Sequence, residues 1–202
     1  MTAGAFILCA WWCASSPTLG AMVEPAGDGA LRLGAGIDAF FPTLDAELTL
    51  GAGRGVDVTA RYDTHGLLLH AFGAGARVRL ADRLALSVDA EYAVFLIDSI
   101  ADIEAEDAPV GGGASASIGL WRSFFAEGGA HVGVGASATV TWLDANGAAV
   151  AELDHLTFEI GAEWAGDGGT TFLRVRAVVP IAAELHPLGY FPWIVIGRAW
   201  NL

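Results

Sequence analysis

The sequence predicts an all-β fold, an antiparallel up-and-down transmembrane β-barrel of about ten strands, with eight strands as the alternative. Three observations predict this fold. Apolar and polar residues alternate with a period of two along most of the chain. Several alternating stretches reach the roughly 9–11 residues that a tilted strand needs to cross a bilayer. Hydrophobic residues make up 54% and charged residues only 16%, whereas about 25% charged is usual in soluble domains.

Residues 1–21 have the pattern of a secretory signal peptide. Residues 5–14, AFILCAWWCA, form an apolar core, and Leu19-Gly20-Ala21 is a candidate cleavage site. The segment lacks Lys and Arg, and a short buried helix is the alternative. Both cysteines, Cys9 and Cys13, lie in this segment, so the exported chain is expected to contain none.

The remaining residues, 22–202, are interpreted as a single barrel domain. Its clearest element is a hairpin over residues 66–97, in which Ala81-Asp82-Arg83 joins two long alternating arms. These arms supply strands four and five. Alternation predicts the other strands at residues 31–41, 45–53, 56–62, 113–121, 124–143, 155–164, 170–183 and 190–200. If the short strands 45–53 and 56–62 form one bent element, the count falls to eight.

The predicted connections alternate between short and long, as expected when both chain ends lie on one side of a membrane. The short set comprises Arg54-Gly55, residues 81–83, Arg122-Ser123 and residues 165–169. The other set includes longer breaks after strands five and seven. The break at residues 98–112 is an acidic loop, for which Ca²⁺ binding is one possibility. It lacks the spacing of an EF-hand, so a solvated loop is favoured and no metal site is predicted.

The polar faces of the strands mix arginine with Asp and Glu, whereas the opposite faces are almost uniformly apolar. Opposite charges on neighbouring strands can pair inside a barrel. We therefore predict lipid outside and an interior charge lattice made of Arg32, Asp38, Glu47, Asp57, Arg61, Arg77, Arg79, Asp89, Glu91, Glu159, Glu163, Arg174 and Arg176. A soluble, lipocalin-like binding barrel with the faces reversed is an alternative. The parity of the last strand, which sets where Arg198 and Trp200 point, is open.

Aromatic residues gather near the predicted strand ends, as the rings that prefer membrane interfaces do. One rim is predicted to contain Phe41, Tyr62, Tyr92 and Trp142, and the other Trp121, Phe124, Trp164 and Trp200.

These features together resemble the bacterial outer-membrane β-barrel proteins over nearly all of residues 22–202. In that class, the last strand ends in an aromatic residue that the barrel assembly machinery recognises. Residues 194–200, IVIGRAW, are similar to such a strand, although two residues follow Trp200. The resemblance implies localisation in the outer membrane, contact with its lipid and lipopolysaccharide, and the assembly machinery as a partner.

Candidate chemistry is sparse. Residues 133–138, GVGASA, match a dinucleotide fingerprint only superficially, because the glycines continue a strand instead of opening a helix. His70, His131 and His155 could join Ser137 or carboxylates in a hydrolytic site, as in outer-membrane proteases and lipid deacylases. No cofactor is predicted, and the excess of 23 acidic over 10 basic residues argues against nucleic acid.

The leading hypothesis is therefore a small, non-enzymatic outer-membrane barrel with a structural, adhesion or narrow-pore role. An outer-membrane hydrolase acting on lipid or peptide is the second hypothesis, and the soluble periplasmic binding barrel is the third.

Overall fold

A computed structural model describes residues 26–38, 43–65, 69–95, 113–127, 130–145, 148–181 and 193–202. These residues contain ten strands: β1 (Leu31–Asp38), β2 (Thr43–Gly53), β3 (Val56–His65), β4 (Leu69–Ala81), β5 (Leu84–Phe95), β6 (Gly113–Glu127), β7 (Ala130–Ala145), β8 (Ala148–Gly166), β9 (Gly169–Pro180) and β10 (Trp193–Asn201). Each strand pairs antiparallel with the next, and β10 pairs with β1, which closes the sheet. The predicted ten-stranded up-and-down barrel is confirmed. No helix in these ranges is both long and apolar enough to cross a membrane.

The strands reverse tightly at one end of the barrel, which we call the short-turn end. Two residues separate β2 from β3, β4 from β5, β6 from β7, and β8 from β9. Arg54 and Gly55 both have positive φ angles, 55° and 76°, as the type I′ hairpin turn requires to match the twist of its strands. The opposite end has the longest separations between consecutive strands, residues 96–112 and 181–192.

Two predicted breaks are wrong. Arg122-Ser123 is not a turn, because β6 continues to Glu127 with a register shift between Ser123 and Phe125. There Ser123 points inward while Arg122 lies outside, with its guanidinium 5.5 Å from the Phe124 ring centroid. The longer break predicted after strand seven, over residues 144–153, is also mostly strand, since β7 ends at Ala145 and β8 begins at Ala148.

The closed sheet is apolar outside and polar inside. Along β2, Leu48 is 42% exposed whereas its neighbour Glu47 is 2% exposed, and the same alternation recurs along β5 and β8. A soluble barrel would have the opposite arrangement, with aliphatic side chains filling the centre. The lipocalin-like alternative, which requires apolar side chains inside and charged side chains outside, is therefore wrong.

The sequence left open which face of the last strand points into the barrel. In β10, both Arg198 and Trp200 point outward. The predicted signal segment, the acidic loop and Phe41 lie outside the described residues.

Candidate functional site: the charged barrel interior

The barrel interior holds more acids than bases. Among the described residues, nine carboxylates point inward and are buried: Asp38, Asp45, Glu47, Asp57, Asp63, Asp89, Glu91, Glu159 and Glu163. Four arginines are buried with them: Arg61, Arg77, Arg174 and Arg176. A fifth, Arg32, points inward but is only half-buried. The lining therefore contains more carboxyl groups than guanidinium groups, and several of them form ion pairs.

Arg61 on β3 is the centre of one ion-paired group. Its Nε lies 2.8 Å from Asp63 Oδ2, and its Nη2 pairs with Glu91 on β5. Strand β4 lies between them, and its inward residue at this level is Gly73. A Cβ at Gly73 would lie only 3.2 Å from Arg61 Nη2. The glycine therefore leaves the space through which the guanidinium reaches Glu91.

A second ion pair lies nearer the short-turn end, where Arg77 Nη2 is 3.0 Å from Asp57 Oδ2. Asp57 also accepts a hydrogen bond from the backbone N–H of Ala26 at 3.0 Å. The chain just before β1 is held further by Gly29 N–H donating to the Gly51 carbonyl at 2.8 Å. Because Gly51 and Asp57 are both inward positions, residues 26–30 lie against this mouth of the barrel.

The third group forms a ladder between β8 and β9. Glu159 lies 3.4 Å from Arg174 Nε and 3.3 Å from Arg176 Nε, so one carboxylate contacts two arginines. Arg174 Nη2 is also 3.2 Å from Glu163. Its guanidinium lies 4.9 Å from the ring centroid of Phe172 on the same strand. Two carboxylates and the face of an aromatic ring therefore hold the Arg174 guanidinium in place.

Neutral polar side chains line the interior of β6, β7 and the middle of β8. They border a cavity of about 20 Å³ lined by Arg61, Asp89, Glu91, Ser115, Ser117, Ser137, Thr139, His155 and Thr157. A space of this size holds about one water molecule. Asp89 Oδ2 is buried there without a hydrogen-bond partner among the described residues.

Trp121 does not lie in an aromatic rim. It was predicted in an aromatic rim but is 1% exposed inside the barrel, and its Nε1–H donates to Ser87 Oγ at 2.9 Å. The reason is that β6 continues past it, so its odd-numbered position shares the inward face with Ser123. Its ring lies over inward Gly135, where any Cβ would overlap it.

Arg79 was also predicted in the lattice, but it is exposed near the β4–β5 turn. Arg79 pairs with inward Ala85 before the register shifts, so it keeps the inward parity but lies at the mouth of the barrel, where solvent reaches it. Arg32 lies at the same end, with Nε 3.4 Å from Asn201 Oδ1.

Five of the other predicted rim residues, those whose side chains the structure describes, occupy the outer surface. Tyr62 and Tyr92 flank Phe72 across β3, β4 and β5, which gives one level of aromatic rings. Phe72, 56% exposed, was not predicted there. Phe124, Trp164 and Trp200 lie towards the short-turn end and are also exposed. The side chain of Trp142 is outside the described part of the chain.

Sequence reasoning missed Asp45 and Asp63 as interior residues. They are direct cross-strand partners on β2 and β3 and are almost completely buried. The predicted strand 56–62 ends one residue before Asp63, yet Asp63 has the same parity as Asp57 and Arg61. Extending that alternation by one more step would have found it. Two buried apolar pairs between β9 and β10, Phe172 with Val195 and Val178 with Trp193, were also not predicted.

The three candidate catalytic histidines are not brought together. His70 lies on the outer face, with Nδ1 2.5 Å from Tyr62 Oη. His131 and His155 point inward, but they are eight residues apart along the β7–β8 ladder, or about 27 Å at 3.4 Å per residue. His155 does share the small cavity with Ser137 and Asp89. A cavity with room for one water does not admit a peptide or an acyl chain.

A closed antiparallel barrel with an aliphatic exterior, aromatic residues towards both ends and a charged interior defines an integral membrane β-barrel of the outer-membrane class. No family model matches the chain, and no curated protein matches it.

Solved structures with similar folds include three outer-membrane proteins. The NanC porin is 10% identical, with a TM-score of 0.45, over 86% of this chain and 100% of that chain. The N-terminal β-barrel domain of Pseudomonas aeruginosa OprF is 10% identical, with a TM-score of 0.41, over 87% and 99%. Omp33 of Acinetobacter baumannii is 8% identical, with a TM-score of 0.41, over 90% and 100%. The class assignment rests on the closure and polarity of this chain's own barrel.

Proposed function

We propose that this protein is a small outer-membrane barrel that forms a narrow, low-conductance passage with a preference for cations. The observation that carries the proposal is the lining, in which nine buried carboxylates outnumber four buried arginines among the described residues. An excess of fixed negative charge in a low-dielectric passage raises the local concentration of cations and lowers that of anions.

The passage is narrow because charged and aromatic side chains occupy the lumen. Arg61 extends across β4 to Glu91, and Trp121 covers part of the interior of β7. Barrels of 16–18 strands leave an open aqueous channel, whereas those near eight strands have interiors that side chains can fill. We therefore expect a conductance far below that of an open porin.

Planar-bilayer recording tests this proposal. The purified barrel, placed between unequal KCl solutions, is expected to give small single-channel steps and a reversal potential of the sign that K⁺ permeation sets. Replacing the paired inward acids, Asp45→Asn with Asp63→Asn, should move the reversal potential towards zero. Asp82→Asn, at an exposed turn, is the matched control and should not move it. Absence of steps, or a reversal potential set by Cl⁻, would contradict a cation passage and leave a structural or adhesion role.

Export and assembly are part of the same proposal. Residues 1–21 are proposed to be removed, and the β10 strand ending at Trp200 is proposed to be recognised by the barrel assembly machinery. N-terminal sequencing of the membrane-inserted protein checks the first point, with Met22 as the expected first residue. The amount of inserted Trp200→Ala relative to the unaltered protein checks the second, and equal insertion of both would contradict it.

A further inference from the structure

The cavity bordered by Asp89 is lined by two carboxyl groups, those of Asp89 and Glu91, and by one guanidinium group, that of Arg61. Asp89 is 6% exposed, and its Oδ2 has no hydrogen-bond partner among the described residues. Glu91 Oε1 is likewise buried without a partner, although Glu91 Oε2 pairs with Arg61. Arg61 already contacts two carboxylates, Asp63 and Glu91. A buried carboxylate without a partner is costly, so a compensating group is expected in the space that it faces.

The neighbouring strands β6, β7 and β8 supply neutral polar side chains. In one cross-strand row, inward Asp89 is followed by Ser117 on β6, Thr139 on β7 and His155 on β8. Ser115, Ser137 and Thr157 border the same cavity. Hydroxyl and carboxylate oxygens are hard donors, which suit alkali and alkaline-earth cations more than soft metals.

Size and charge select among these cations. The volume of about 20 Å³ accommodates one water-sized occupant. Within the described residues, no group of three or more His, Cys, Asp or Glu side chains is placed to hold a metal ion. A Ca²⁺ ion takes 6–8 oxygen ligands, commonly including several carboxylates, whereas this cavity is bordered by only two, Asp89 and Glu91, of which Glu91 already pairs with Arg61. A singly charged ion needs less compensation.

We propose that this cavity is a binding site for one small monovalent cation, Na⁺ or K⁺, held by Asp89 with hydroxyl oxygens from β6 and β7. The site lies in the same lumen as the proposed passage, and it would be a point at which a permeating cation rests. Binding and conduction are nevertheless separate properties. An occupied site in a barrel that carries no current leaves the binding inference intact and removes only the proposed function.

The test is the thermal unfolding of the detergent-solubilised, full barrel, followed by tryptophan fluorescence. NaCl or KCl is compared with N-methyl-D-glucamine chloride at equal ionic strength, so that screening is the same. A ligand that binds only the folded state stabilises it by mass action. We expect the unfolding midpoint to rise by about 2–4 °C in Na⁺ or K⁺ relative to the bulky cation.

Asp89→Asn is expected to abolish this difference, because the amide keeps the shape of the carboxyl group and removes its charge. Asp167→Asn, at an exposed turn, is the matched control and should retain the full difference. If Asp89→Asn does not fold, Ser117→Ala with Ser137→Ala should shift the cation dependence to higher concentration. Equal midpoints in small and bulky cations would overturn the inference and indicate water or a neutral acid in the cavity. A full difference retained in Asp89→Asn, or in the two serine replacements when Asp89→Asn does not fold, would overturn it as well.

Discussion

Individual side chains in the interior depend on one another for charge compensation, and Glu159 is the clearest case. It contacts both Arg174 and Arg176, and all three side chains are buried. Glu159→Gln would leave two buried guanidinium groups without their shared carboxylate. Removing one partner of a buried ion pair is strongly destabilising, and we expect a loss of about 3 kcal/mol in the free energy of unfolding.

Urea unfolding of the barrel in lipid vesicles measures this loss. Asp82→Asn, which removes an exposed carboxylate from a turn, should change the free energy of unfolding by no more than about 0.5 kcal/mol. Similar small values for both variants would mean that water compensates the arginines.

Inward glycines make space for large neighbours, and Gly135 tests this at a single position. The ring of Trp121 occupies the space that a Cβ at Gly135 would need. We expect Gly135→Ala to destabilise the barrel by about 1–3 kcal/mol through overpacking. Trp121→Phe in the same chain should recover part of that loss.

Gly166→Ala is the matched control for Gly135→Ala, because a Cβ at Gly166 meets no atom within 4 Å. Its free energy of unfolding, measured in the same way, should stay within about 0.5 kcal/mol of the unaltered protein. An equal loss of unfolding free energy at the two positions would show that these glycines stabilise the barrel through their backbone conformation and not by leaving space for a neighbour.

At the level of single residues, the sequence predicts interior charges well where alternation is regular and poorly where it is not. Arg174 and Arg176 lie mid-strand, so their shared parity was enough to place them together. Trp121 lies beside a predicted turn that is strand in the structure, and Arg79 keeps the inward parity but lies at the exposed mouth of the barrel. Which acid pairs with which arginine could not be predicted, because pairing depends on the stagger between neighbouring strands.

The strands themselves are the most predictable level. All ten predicted strands overlap observed ones, and the period of two that predicts them follows directly from the geometry of a strand. The exceptions are the bounds near residues 121–130 and 144–153. The polar pair Arg122-Ser123 interrupts an apolar run, which is the sequence pattern of a turn. In the structure the Arg122 guanidinium lies over the Phe124 ring, and the strand continues.

The outer faces of the strands give a prediction about depth in the membrane. Val88 is mid-strand and 50% exposed, whereas Leu80 is 54% exposed but only two residues from the β4–β5 turn residue Asp82. An arginine near the bilayer midplane costs about 2–4 kcal/mol, and one near the interface about 0–1 kcal/mol. Val88→Arg should therefore be much more destabilising than Leu80→Arg.

Reversible unfolding from lipid vesicles measures the two arginine variants, with Val88→Ala and Leu80→Ala as controls for the loss of each aliphatic side chain. Equal costs at the two depths would indicate that water, and not hydrocarbon, covers the outer face.

The whole molecule is organised by one inversion of polarity, in which aliphatic side chains surround the sheet and carboxylates and arginines fill it. Residues 117 and 118 show this inversion side by side. Ser117 lines the interior cavity, and Ile118 is 54% exposed on the outside. Barrel closure fixes this arrangement for all ten strands at once, because β1 pairs with both β2 and β10.

Spin labelling of these two neighbours tests the inversion most directly. In a background with Cys9 and Cys13 replaced by serine, Ser117→Cys and Ile118→Cys each receive one nitroxide, and the labelled barrels are placed in lipid vesicles. Oxygen, which concentrates in lipid, should relax the label at 118 strongly, while a water-soluble nickel chelate should not. The label at 117 should show little relaxation by oxygen. Strong relaxation by oxygen at 117, with the nickel chelate dominant at 118, would contradict a barrel whose exterior contacts lipid.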